Sequence, residues 1–190
     1  MSVESAMKSR RTARSFSEKQ IEENELIEII DLVRLSPCGA NLQPLKYGLV
    51  IDECVRKEMF SHIRYAGYIK DWNPSFIESP KAFIVVACDT SIVKTENAQC
   101  DAGIAMMAIS LLAEEKGLDS CILGAINRKE LKKILKLEEK YEILYLVGLG
   151  YANKKSERYD SNEEVKYSMV EEGKFLVPKK DLQNVILFKK

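Results

Sequence analysis

Between Asp101 and Glu114 the chain reads AGIAMMAISLLA, twelve residues without a charge. This run constrains the fold more than any other stretch. It lies inside a helical pattern over 97–116 that Gly117 is placed to close as a C-cap. About twenty apolar residues are needed to cross a bilayer, so this helix belongs inside protein. It is apolar on nearly every side and therefore needs cover on both faces. A chain of 190 residues suits one domain, hiding roughly 70% of its unfolded surface. Two-sided cover for one helix is hard to arrange within that size, and a partner subunit could supply the second side.

Periodicity predicts the other elements. Leu26, Ile27, Ile29, Ile30 and Val33 make one apolar helical face over 23–35, and Pro37 stops it. KYGLVI (46–51) and KAFIVVAC (81–88) read as strands. The second barely alternates, which predicts burial on both sides. Between them 55–66 is expected to be helical, followed by an irregular aromatic segment, YAGYIKDWNPSF. RKELKKILKL (128–137) reads as a short amphipathic helix and EILYLVGLGYA (142–152) as a strand. From 153 onward the chain is polar and expected to be irregular, yet it ends in the strand-like NVILFKK. Such a terminal run suits pairing with a sheet edge, that of another subunit included. The succession suggests a single α/β-type or α+β domain over 1–190.

Charge and cysteine content narrow the function classes. Twenty-nine basic and twenty-nine acidic residues cancel, which argues against a global attraction to nucleic acid or anionic membrane. Five cysteines form no CxxC pair, and the chain has one histidine, so a zinc cluster is not expected. Free thiols and an N-terminus without a signal-peptide core point to the cytoplasm.

Three segments carry ligand-binding potential. RRTARSF gathers Arg10, Arg11, Thr12 and Arg14 within five residues; it is either a solvated basic turn or a phosphate site, since Arg offers paired donors. SPCGANLQPLKY (36–47) is longer than a turn requires and could present backbone N–H groups and amides to a ligand. In GLDSCILGAINR, Gly124 and Ala125 either form an ordinary buried turn or let backbone approach a flat ligand. The glycine-rich dinucleotide fingerprint and the GxxxxGK[ST] loop are both missing.

Taken in order, RRTARSF, SPCGANLQP, QCDAGIAMMAISLLAEEKGLDSCILGAI and GLGYA resemble the nitroreductase-like FMN-dependent oxidoreductases. The tail, EEVKYSMVEEGKFLVPKKDL, is similar to a short-chain branch of that family. The resemblance implies an α+β fold, with a central mixed sheet flanked by helices and a C-terminal strand exchanged in a homodimer. It implies FMN between the subunits, its phosphate held by Arg10, Arg11, Thr12 and Arg14. The loop after the first helix would reach the flavin from the other subunit through Pro37, Cys38, Gly39 and Asn41, with Gln43 shaping it. Leu123, Gly124 and Ala125 would meet the isoalloxazine edge, and Arg158, preferred narrowly to Lys155, would return to the phosphate. Tyr65, Tyr68 and Trp72 lie in the segment expected to roof the pocket.

The implied reaction is hydride transfer from NAD(P)H through the flavin to a nitroaromatic, quinone or similar electron-poor acceptor, in ping-pong order. It asks for no catalytic side chain and no metal. Serine is common in the family where Cys38 stands, and Trp where Leu45 stands; both changes leave phosphate ligands intact and bear on pocket shape. Enone reduction, dehalogenation or a flavin-binding homodimer without turnover are the alternatives on the same fold. A nucleic-acid module built on the three arginines is the least favoured.

Overall fold

The computed structural model describes residues 1–190. Twelve elements follow in order: α1 (Val3–Ser9), α2 (Glu23–Val33), β1 (Leu45–Val50), α3 (Glu53–Phe60), β2 (Ala82–Asp89), α4 (Gln99–Glu115), β3 (Asp119–Leu123), α5 (Arg128–Ile134), β4 (Tyr141–Gly150), β5 (Glu157–Asp160), β6 (Ser168–Glu171) and β7 (Lys174–Lys179).

Four strands make the central sheet in the order β1-β2-β4-β3. Every strand pair in it is antiparallel. The mixed character expected of it is confined to one parallel bridge, Thr12 with Ser120, outside the strands at the β3 edge. Chain direction explains this: the four strands alternate in sense across the sheet, and only the segment before Phe16 runs alongside β3. All eight residues of β2 are buried, as its unbroken apolar run predicts.

Helices cover both faces. On one, Leu26, Ile29 and Val33 of α2 and Ala102, Ala105, Ile109 and Ala113 of α4 pack on Ile84, Val86, Val147 and Leu149. On the other, Met59 of α3, Leu131 of α5 and Phe16 pack on Phe83, Val85, Cys121, Leu123 and Leu146. Layering of this kind follows from β2 and β4 having no polar face to turn to water. Gly150 lets Phe16 cross the sheet closely, since a Cβ there would lie 2.7 Å from the Phe16 ring.

The long apolar helix ends as its sequence predicts. Gly117 takes φ 75°, its N–H donates to Glu114 O, and Leu118 N donates to Ala113 O, a Schellman-type closure. The helix is not fully covered in one chain: Ile104, Met107, Ala108 and Leu111 form a half-buried stripe. Val3 and Met7 of α1 stand exposed.

Three expectations are corrected. Residues 61–66 are not helical: Ile63 bridges Ile126, Arg64 N donates to Ala125 O, and Tyr65 N donates to Asn73 Oδ1. Pairing with the segment after β3 pulls this stretch out of the helix that its own pattern favours. The tail expected to be irregular carries β5, β6 and β7 in a small mixed sheet of order β5-β7-β6. The terminal run over 184–190, expected as a strand, is none within one chain, with Leu187 91% and Phe188 69% exposed. A strand needs a ladder partner, and no edge of this chain lies beside it.

No helix is long and apolar enough to cross a membrane. All five cysteines are free, and no group of three His, Cys, Asp or Glu side chains is placed to hold a metal ion.

Candidate functional site

The arginine segment leaves α1 and runs along β3, where Ala13 N donates to Ser120 O at 3.0 Å. Arg11 and Arg14 take different courses. Arg11 turns back and donates to Arg10 O and Lys8 O, satisfying carbonyls that the end of α1 leaves free. Its basicity is lowered from the ordinary value, first by burial and then by the neighbouring charges of Arg158 and Arg10. The same coupling places Arg158 beside the arginine segment, while Arg158 Nη1 pairs with Asp160 at 3.3 Å. Lys155 instead reaches Asp119 Oδ1 at 3.9 Å. Thr12 O accepts a long hydrogen bond from Ser156 Oγ.

Arg14 goes inward and is only 8% exposed. Its Nε donates to Tyr65 O at 3.3 Å. No carboxylate pairs with Arg10, Arg11 or Arg14. Three buried side-chain polar atoms in the protein lack a hydrogen-bond partner: Arg10 Nε, Arg14 Nη1 and Tyr65 Oη. All three can donate, and two belong to cations. Leaving buried donors unpaired costs roughly 1–3 kcal/mol each, so the arginine members of this set call for an acceptor-rich, anionic ligand, while the Tyr65 hydroxyl lies in the core near Cys121 and Arg56. A flavin mononucleotide, with a phosphate and a carbonyl-lined ring, is of that chemistry. Cys121 lies close enough to feel the Arg14 charge, but burial pushes its thiol up to about 11. It is therefore protonated at neutral pH and a poor nucleophile.

The segment after β3 stands next to this set. Leu123 is buried, whereas Gly124 and Ala125 are exposed. Ala125 O accepts from Arg64 N, and Tyr65 O accepts from Arg14 Nε, so residues 64 and 65 tie the two segments together. A Cβ on Gly124 would lie 3.3 Å from the Tyr145 ring, so a larger residue there would press on that ring. An open groove lined by His62, Arg64, Asp71, Trp72, Ala125 and Asn127 runs alongside.

The loop over 36–44 is built differently. Ala40, Asn41 and Gln43 all take positive φ, at 48°, 54° and 52°, and each left-handed non-glycine residue costs roughly 1–2 kcal/mol. Two anchors hold it: Gly39 N donates to Asp101 Oδ1 at 3.0 Å, and Gln43 N donates to Cys38 Sγ at 3.2 Å. Pro37, Gly39 and Asn41 are exposed. Pro37, Cys38, Tyr47 and Asp101 help enclose a cavity of about 330 Å³ between this loop, α2 and α4. Burial, then the proximity of Cys38 and Asp101, pushes the Tyr47 hydroxyl up to about 12.

One chain does not unite these walls. The arginine and Gly124–Ala125 segments belong to the β3 edge, and the loop leads into β1 at the opposite edge. Three strand spacings separate those edges, roughly 14 Å. Along α4 the separation is larger, because Asp101 anchors the loop near its first turn while Arg11 senses Glu114 near its last; at about 1.5 Å per helical residue these two positions lie about 20 Å apart.

Sequence reasoning passed over Asp101, Tyr167 and Phe175. A lone acid at the head of an apolar helix was the available signal for Asp101. The two aromatics sit in the tail that periodicity left unassigned.

Known proteins agree with this architecture. The family model described as Nitroreductase family matches residues 7–151. A putative NADH dehydrogenase/NAD(P)H nitroreductase of Archaeoglobus fulgidus is 26% identical, over 81% of this chain and 87% of its own. An iodotyrosine deiodinase of Thermotoga neapolitana is 24% identical, over 82% of this chain and 91% of its own. Among solved structures, an FMN-dependent nitroreductase of Clostridium difficile R20291 superposes with a TM-score of 0.66 at 24% identity, over 79% of this chain and 87% of that one. With a family match over 145 of 190 residues, folded around one helix-flanked sheet, the chain belongs to the nitroreductase family.

Proposed function

We propose that the protein is an FMN-dependent NAD(P)H oxidoreductase that works as a homodimer in the cytoplasm, its 190 residues forming one FMN-binding unit. The observation that carries this reading is the pair of arginine donors, Arg10 Nε and Arg14 Nη1, buried and without acceptors in a nitroreductase-family chain. Bound FMN would supply the redox chemistry, accepting hydride from NAD(P)H and passing it to a nitroaromatic, quinone or similar electron-poor acceptor. Arg10, Arg14 and Thr12 would hold the phosphate and ribityl side. Arg11 would contribute charge rather than direct donors, and Arg158 would close the phosphate side next to it. Leu123, Gly124 and Ala125 would lie along the ring edge. Donors fixed before the reaction stabilise developing negative charge without reorganisation, and no side chain has to move a proton for hydride transfer itself.

The second subunit would supply the loop through Pro37, Cys38, Gly39 and Asn41, which lies too far from the arginines within one chain. Two apolar surfaces favour such a dimer. One joins Val3 and Leu32 to Ala108, Leu111 and Leu112. The other follows the β1 edge over Tyr47, Leu49 and Val50, where the partner's terminal residues 184–190 would add a strand.

A second reading keeps the cofactor and changes the acceptor. The 24% identity to an iodotyrosine deiodinase favours reductive dehalogenation as that alternative. The deciding experiment is the absorbance spectrum of the purified protein with FMN, followed by separate additions of NADH and NADPH. Bleaching of the flavin band and its return with a nitroaromatic or quinone is the expected result. Return with iodotyrosine alone favours the alternative. A protein that takes up no FMN rules out both.

A further inference from the structure

Arg14 is held by residues from the far end of the chain. Its guanidinium carbon lies 4.2 Å from the Tyr167 ring centroid and 4.8 Å from that of Phe175. The two rings meet at 85° with centroids 5.8 Å apart, so the cation sits in an aromatic corner. The corner is itself braced: the Tyr167 hydroxyl accepts from Tyr68 N at 3.3 Å, and Trp72 packs edge-on to Phe175 at 5.3 Å. At the turn between β6 and β7, Gly173 takes φ 75° and approaches Ser15 so closely that a Cβ would lie 2.9 Å from the Ser15 Cβ. The hairpin is thus pressed onto the residue next to Arg14.

The choice of partner matters chemically. A carboxylate would neutralise the guanidinium and occupy its N–H groups. Ring faces stabilise the same charge through their quadrupoles and leave the N–H donors free. Arg14 accordingly spends Nε on Tyr65 O and keeps Nη1 without a partner. The corner fixes a cation in place without a competing anion.

We propose that the β6–β7 hairpin is a clamp that orients Arg14, with Tyr167 and Phe175 as positioning residues for the acceptor-rich edge or phosphate of the cofactor. The clamp rests on the FMN reading above and adds the tail to that site. Its test is a double-mutant cycle read by FMN titration of apoprotein, with thermal denaturation of each apoprotein alongside. Tyr167→Phe keeps the ring and holds the FMN Kd within about twofold, whereas Tyr167→Leu removes it and raises Kd about tenfold or more, the scale of a desolvated cation–π contact. In an Arg14→Ala background, Tyr167→Leu changes Kd less than about twofold, because the group it positions is gone. A merely structural role would lower apoprotein stability equally in both backgrounds and weaken FMN binding in both. An unchanged Kd for Tyr167→Leu, or an equal loss with and without Arg14, overturns the clamp. Wild-type protein that binds no FMN defeats the cofactor reading and the clamp with it, so the two failures are told apart by the wild-type titration.

Discussion

The two walls proposed for the cofactor site reach their shapes by opposite means. The loop over 36–44 is exposed, bent through three left-handed residues, and held by one carboxylate and one sulfur. The arginine segment has no positive φ and is wedged between β3 and the tail, its strain residing in unpaired donors. One wall stores its cost in the backbone and the other in electrostatics. Strain in the backbone persists with or without ligand, whereas unpaired donors are relieved only when an acceptor arrives. The loop should therefore be preformed and indifferent to FMN, and the arginine wall should gain stability from it.

The strongest way to break this contrast is Arg14→Ala. FMN binding should weaken by roughly 1.5–3 kcal/mol, the range for hydrogen bonds to charged groups, as read by fluorescence titration. Arg10→Ala should lose a similar amount, and if neither variant shifts the dissociation constant the electrostatic account of this wall is wrong.

Asp101→Ala tests the other wall. Loss of the Gly39 anchor should cost roughly 1–2 kcal/mol of folding stability, measured by urea denaturation of apoprotein. Asp101→Asn, which keeps an acceptor, should recover most of it. If both variants match wild type, the loop does not depend on that carboxylate.

Ala40→Gly should act in the reverse direction. At φ 48° glycine escapes the Cβ penalty, so the variant should gain up to roughly 1 kcal/mol despite its more flexible unfolded chain. Ala13→Gly, in the wall without positive φ, should instead destabilise. Matching thermal shifts for the two substitutions would erase the distinction between the walls.

The smallest effect is one of pH. Burial, then the nearby Cys38 and Asp101, pushes the Tyr47 hydroxyl up to about 12 in the folded protein against an ordinary 10. The unfolded chain therefore releases the proton first as pH rises, and stability contributed by the neutral phenol is lost between about pH 10 and 12. Tyr47→Phe should flatten that part of the alkaline decline in a denaturation series at pH 8 and pH 11. Equal slopes for variant and wild type would show that Tyr47 is solvated in both states.

Local pattern was enough to read β2, α4 and its Gly117 closure, because burial on two sides and a helix stop leave marks within a few residues. It was enough to single out the three segments proposed to face the ligand as well, since glycine, proline and arginine clusters are local features. It failed where distant chain decided the outcome. Residues 61–66 have helical spacing, but the backbone of 125–127 competes for their hydrogen bonds. β5 reads Glu-Arg-Tyr-Asp, with no alternation of apolar residues, and exists because β7 lies parallel to it. The divergence of Arg11 from Arg14 was equally illegible, since neighbours in sequence gave no sign that one would cap α1 and the other enter an aromatic corner.

That corner has a consequence for the order of assembly. Arg14 and its ring partners are separated by about 150 to 160 residues of intervening chain. Contacts of such range form late, after the sheet between them has closed the loop. Until then Arg14 lacks its aromatic partners. A chain cut short before β7 would leave Arg14 without the rings that hold it.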